Sequence, residues 1–196
     1  MNFESYYPGM MDNIRDRVFF VKRTLKGETF PPDNLSFATE SCYLNLRLIC
    51  EGLSVALAIP HLEGVDEYNA LSRKFFPKDL AATLSTLNGD FFPRRSRLVR
   101  EVSGLHLIDL TPEISPEYVK SVHGKCGDYL HALTLRKIEQ GRKYGQADLR
   151  LIAEAIEKIW LHLQCHYITL PDQTIWACSI ALPGQGKTGA VRIGAN

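Results

Sequence analysis

Between His123 and His131 the chain reads His-Gly-Lys-Cys-Gly-Asp-Tyr-Leu-His, setting two imidazoles, an ammonium, a thiol and a carboxylate within nine residues. An imidazole titrates near neutrality, so it can both accept and return a proton during a reaction. Asp128 precedes His131 by three positions. On a helix the two share a face, and the carboxylate would orient the ring and raise its pKa. Lys125 lies ~120° round an ideal helix from His131. Gly124 and Gly127 loosen that start and allow it closer. A metal reading of His123, Cys126, Asp128 and His131 meets no standard ligand spacing, so neither a metal nor another cofactor is expected. The competing reading is structural: His131 hydrogen-bonded in a core, with the glycines admitting a close helix neighbour.

Charge elsewhere falls in two runs. Arg94, Arg95, Arg97 and Arg100 form one, and Arg136, Lys137, Arg142, Lys143 and Arg150 form the other. Such patches can hold phosphates although the formal net charge is only +1. Arg94, Arg95, Arg97, Arg136 and Lys137 are the candidate RNA contacts, against the simpler reading of a solvated surface balanced by nearby acids. Arg47 and Glu51 stand four apart on an apolar helix, which predicts either a plain intrahelical ion pair or a pair facing a polar seam that also holds His131. Gly186-Lys187-Thr188 lacks the upstream glycine of a phosphate loop, because Ala181 occupies that place, and reads as a hairpin turn.

These residues need elements to position them. The chain has 196 residues, 45% hydrophobic and 23% charged, an ordinary soluble composition with room for one domain. Helices are predicted over about 10–25 (ended by Gly27), 36–58 (stopped by Pro60), 78–87 and 147–163, with another beginning at Ser115-Pro116. Leu46, Ile49, Leu53 and Leu57 form one apolar stripe, and Leu149, Ile152, Ile156, Ile159 and Leu163 another. Segments 97–102 and 105–110 predict a β-hairpin about Ser103-Gly104, and strands follow at 167–170, 174–182 and 190–193. The expectation is one domain over 1–196, with a helical core at about 10–163 and C-terminal strands at about 167–194. Five cysteines without a CxxC pair argue against a disulfide framework. The start has no secretory pattern, and the apolar run Leu53–Pro60 is too short to span a bilayer, so a cytoplasmic protein with no membrane contact is expected.

The stretch Tyr43-Leu-Asn-Leu-Arg47-Leu-Ile-Cys-Glu51 resembles the "LRxxxE" helix of the HEPN-like all-helical families of bacteria and archaea. Gly124–His131 resembles their second signature, a basic residue followed after four to six positions by histidine. The resemblance implies a mainly α fold, a HEPN-like helical bundle with small peripheral antiparallel β-hairpins, that works as a homodimer. In active members it implies a metal-independent endoribonuclease of a phage-defence or toxin–antitoxin system, with an antitoxin or other defence-system partner. Carried onto this chain, His131 is the acid/base, Lys125 holds the scissile phosphate, Asp128 orients the histidine, and Arg47 and Glu51 support them. Active members usually carry arginine where this chain has Lys125, and lysine lacks the planar fork that matches phosphate. The alternative is therefore a non-catalytic HEPN-like interaction or RNA-binding module.

Overall fold

The computed structural model describes residues 3–31, 34–61, 77–102, 104–130, 146–184 and 186–193. In chain order these form α1 (Phe3–Leu25), α2 (Leu35–His61), α3 (Pro77–Leu87), β1 (Arg94–Glu101) and β2 (Gly104–Asp109). Then come α4 (Pro116–Leu130), α5 (Gln146–Leu163), β3 (Cys165–Thr169), β4 (Ile175–Ser179) and β5 (Gly189–Ile193). All strand pairings are antiparallel, and the sheet order is β2-β1-β3-β4-β5.

This overturns the expected mainly α bundle with small peripheral hairpins. The fold is mixed α/β, with one five-stranded sheet packed beside the helices. The link that turns separate hairpins into a sheet is short: Arg94 pairs with Tyr167 and Arg95 with His166. Helix and sheet side chains share one buried cluster that runs from Tyr7 and Met11 through Leu46 and Ile159 to Trp176 and Ile180.

Helix α1 buries Tyr7, Met11, Ile14, Val18 and Val21, a spacing of three and four that keeps one side against α2. It starts at Phe3 instead of near residue 10, because fully buried Tyr7 ties the extra turns into the core. It ends at Gly27 (φ +76°): Glu28 N–H donates to the Arg23 carbonyl and Gly27 N–H to that of Thr24. That pair of bonds is a Schellman cap, and its left-handed residue favours glycine.

Helix α2 runs through Pro60 to His61 instead of stopping before the proline. The Pro60 ring falls in the last turn, and the His61 ring closes that end by donating from Nδ1 to the Leu57 carbonyl at 2.8 Å. Over its full length α2 is long and apolar enough to cross a membrane, with a best-window mean hydropathy of 1.5, which the short Leu53–Pro60 run did not suggest. More than half of that window is buried inside the fold, as expected of a core helix.

Helix α4 begins as the Ser-Pro pair predicts. Ser115 Oγ accepts from Tyr118 N–H at 3.2 Å, satisfying one of the free donors of the first turn. Ser115→Ala should therefore cost about 1 kcal/mol in urea unfolding with an unchanged m-value. A loss below a few tenths would show that the cap does not hold this helix start.

Candidate functional site

Helix α4 presents different chemistry on two sides. Toward α2 it buries Val119, Val122 and Cys126 and turns His123 onto the seam. There Arg47 Nε donates to Glu51 Oε1 at 2.9 Å, and His123 Nε2 reaches the same oxygen at 3.1 Å. Burial pushes the Glu51 carboxyl up, but the hydrogen bonds from Arg47 and His123 outweigh it and leave the group below its ordinary pKa. The polar seam expected from Arg47 and Glu51 is thus present, and its described histidine is His123. Cys126 lies beside it, but burial pushes its thiol up to about 12, against the opposing charge of Arg47. A thiol held protonated is neither a nucleophile nor a ready metal ligand. Among the described residues no three His, Cys, Asp or Glu side chains are placed to hold a metal ion.

Toward α5 the same helix lines an open cleft of about 370 Å³ with Tyr118, Ser121, Val122 and Lys125. Ala147, Arg150, Leu151, Glu154 and Ala155 form the opposite wall. Lys125 and Arg150, 25 positions apart in sequence, therefore line one cleft, together with Ser121 and Tyr118. Glu154, on the same wall as Arg150, accepts from Lys158 Nζ at 2.7 Å. That hydrogen bond first, and Lys125 in smaller part, holds the Glu154 carboxyl below its ordinary pKa. At the far end of α4, Tyr129 stacks on Tyr43 of α2 at 3.8 Å, and the Tyr43 hydroxyl donates to Asp148 of α5 at 3.2 Å. These contacts tie α4 to α2, and α2 to the start of α5.

Of the proposed catalytic set, Lys125 and Asp128 lie on exposed positions of α4, and His131 falls outside the described residues. Of the proposed RNA contacts, Arg136 and Lys137 also fall outside them. Arg94 is paired with Asp90 at 2.6 Å. Arg95 is built into the fold: Nε donates to the Leu161 carbonyl at 3.0 Å, and Nη1 to the Thr111 carbonyl and, at 2.7 Å, to Glu113. Arg97 remains exposed on β1. The first basic run is thus divided between scaffold and surface.

Sequence reading passed over His123 as the partner of Glu51 and Arg150 as the partner of Lys125. Helical spacing carried a signal for the second: Tyr118, Ser121 and Lys125 share one face, as do Ala147, Arg150, Leu151 and Glu154. The buried histidines have structural work. His162 Nε2 donates to the Pro93 carbonyl at 2.8 Å while Nδ1 accepts from Glu113 N–H at 3.2 Å. His61 Nε2 accepts from Asn88 at 3.1 Å. Burial lowers the pKa of both rings, keeping them neutral. The Gly186-Lys187-Thr188 segment joins β4 to β5, and Thr188 hydrogen-bonds Asp12 on α1, so its hydroxyl serves the fold. A second groove of about 250 Å³, lined by Leu53, Leu57, Leu84, Phe91 and Val119, carries no histidine among the described residues. No family model, curated protein or solved structure matches this chain.

Proposed function

We propose that this chain is a cytoplasmic, metal-independent endoribonuclease of a bacterial defence or toxin–antitoxin type, acting as a homodimer. The observation that carries the reading is the cleft in which Lys125 and Arg150 converge on the helix whose sequence leads on to His131. Its volume suits a nucleotide unit, and two cations on facing walls suit a phosphate that gains negative charge during cleavage. In the reaction the ribose 2′-oxygen loses its proton to a base and attacks phosphorus. The 5′-oxygen leaves with a proton, giving a cyclic phosphate. His131 is the proton carrier, Asp128 orients it, and Lys125 with Arg150 holds the phosphate. Arg47, Glu51 and His123 hold α4 in place from the other side.

One observation favours the alternative of a non-catalytic RNA-binding or interaction module: Glu154 stands in the same cleft and offsets part of its positive charge. An RNA-cleavage time course with EDTA present, comparing wild type with His131→Ala, separates the two. Cleavage by wild type and its loss in the variant are expected. A mixed RNA pool left intact by wild type would overturn the nuclease reading in favour of the module.

A further inference from the structure

Strand β2 ends the sheet, and its neighbour β1 pairs with β3 only at Arg94 and Arg95. From Ser96 onward, β1 and β2 therefore form a two-stranded arm with no third strand beside it among the described residues. The arm exposes Leu98 (48%) and Ile108 (38%), with Val102 fully exposed near its tip, and it has no proline to blunt its edge.

Leu110 N–H donates to the Arg95 carbonyl at 2.9 Å, which fixes the alternation of the ladder. Residues 110, 108 and 106 turn their backbone groups toward β1, so Leu105, Leu107 and Asp109 turn theirs to the open edge. We propose that this edge pairs antiparallel with β2 of a second copy, Leu107 opposite Leu107, joining two five-stranded sheets into one.

Register and charge choose this partner and this centre. A twofold axis between neighbouring antiparallel strands stands normal to the sheet and keeps each face continuous. Leu98 is opposite Leu107 across β1 and β2, so the pairing creates a row of four leucines across the axis. On the other face Ile108 meets His106 of the second copy. Centring one residue earlier would set two His106 rings side by side. Arg100 is opposite Leu105, and Leu105 is opposite Asp109 of the second copy. The guanidinium and that carboxylate then share one row with Cα atoms roughly 10 Å apart, a gap the two side chains can close. Arg100 has no ion pair among the described residues; the Asp109 side chain, 59% exposed, already accepts from the Tyr167 hydroxyl at 2.7 Å and stands 3.9 Å from Arg94, so Arg100 of the second copy would add a further cation to that carboxylate.

This inference deepens the homodimer part of the proposed function but rests on strand geometry alone, so the arm can fail its test while RNA cleavage stands. Light scattering on the full chain at micromolar concentration should give twice the 22.1 kDa monomer mass. Leu107→Pro removes an amide that faces the open edge and not β1, so it should give a monomer with an unchanged circular dichroism spectrum. Leu107→Cys should form a disulfide-linked dimer on oxidation, since opposed Cα atoms of a hydrogen-bonded pair lie roughly 5.5 Å apart. Ile108→Cys should not, because its two copies sit on a diagonal about 7–8 Å apart. A monomeric wild type, a Leu107→Pro variant that stays dimeric, or equal cross-linking at 107 and 108 would each overturn the proposal.

Discussion

Arg150→Ala should lower RNA cleavage by roughly a hundredfold, the usual cost of removing one group that meets charge building up in a transition state. Lys125→Ala should fall in the same range, and the double variant should lose less than the product of the two. Groups that grip one phosphate act as a unit. The loss should appear mainly in kcat if the cations meet the charge that forms at phosphorus, and in KM if they only seat the RNA. Lys158→Ala is the informative comparison. Its ammonium is committed to Glu154 on the rim of the cleft, so cleavage should change little. Glu154→Gln removes the opposing charge and should tighten RNA binding. Binding also reports independently of turnover: a lost phosphate contact lowers the slope of log affinity against log salt by about 0.7 for a single strand. An Arg150→Ala variant with unchanged cleavage and unchanged salt slope would remove the cleft from the mechanism.

The helical half of this fold was legible because periodicity is local. Leu46, Ile49, Leu53 and Leu57 form the buried stripe that their spacing predicts, as do Ile152, Ile156, Ile159 and Leu163, while Leu149 at the head of that second stripe is only half-buried. The hairpin about residue 103 and the strands near the C-terminus were legible from branched residues and turn chemistry. Their union was not. It depends on Arg94 and Arg95 meeting Tyr167 and His166, residues some 70 positions away, and two arginines in a row read as surface charge. Arg95 misled because its partners are mostly carbonyls, which any sequence supplies everywhere. The same limit applies at the site. Arg47 and Glu51 advertise an intrahelical pair, but the third member, His123, comes from another helix through packing.

That three-residue seam has a consequence for stability. Glu51 accepts from both Arg47 and His123, so Glu51→Gln would leave two donors competing for one neutral oxygen in a half-buried seam. The change acts on how firmly α4 is seated against α2, and through α4 on where Lys125 stands in the cleft. A polar seam behind a helix is a means of orienting it that an all-apolar interface would not supply.

Stability should fall by about 3 kcal/mol as the pH drops from 6.5 to 4, because one histidine takes up its proton there only in the unfolded chain. His166 on β3 is fully buried, and burial lowers its pKa from 6.5 to about 4, against the opposing effect of its bond to the Leu163 carbonyl. Its Nδ1 donates to that carbonyl at 2.7 Å, which leaves Nε2 to accept from the hydroxyl of Tyr7 on α1. Burial also raises the Tyr7 pKa well above its ordinary value, so the hydroxyl stays a donor. The folded state thus requires a neutral ring. The stability this gives is fully present above pH 6.5, because neither state then binds the proton. Between pH 6.5 and 4 only the unfolded chain takes it up, and stability is lost at about 1.4 kcal/mol per pH unit. His61 and His162, also lowered by burial, steepen the same fall. Protonated His166 would present a second N–H to the Tyr7 hydroxyl, whose ring also packs edge-on against Trp176 at 5.9 Å. The strain would fall on the junction where the start of α1 meets the sheet. Guanidinium unfolding at a series of pH values should show this slope in wild type. In His166→Gln, an amide that can donate to Leu163 and accept from Tyr7 without titrating, the slope should be markedly flatter. An equal slope in both proteins would place the acid sensitivity elsewhere.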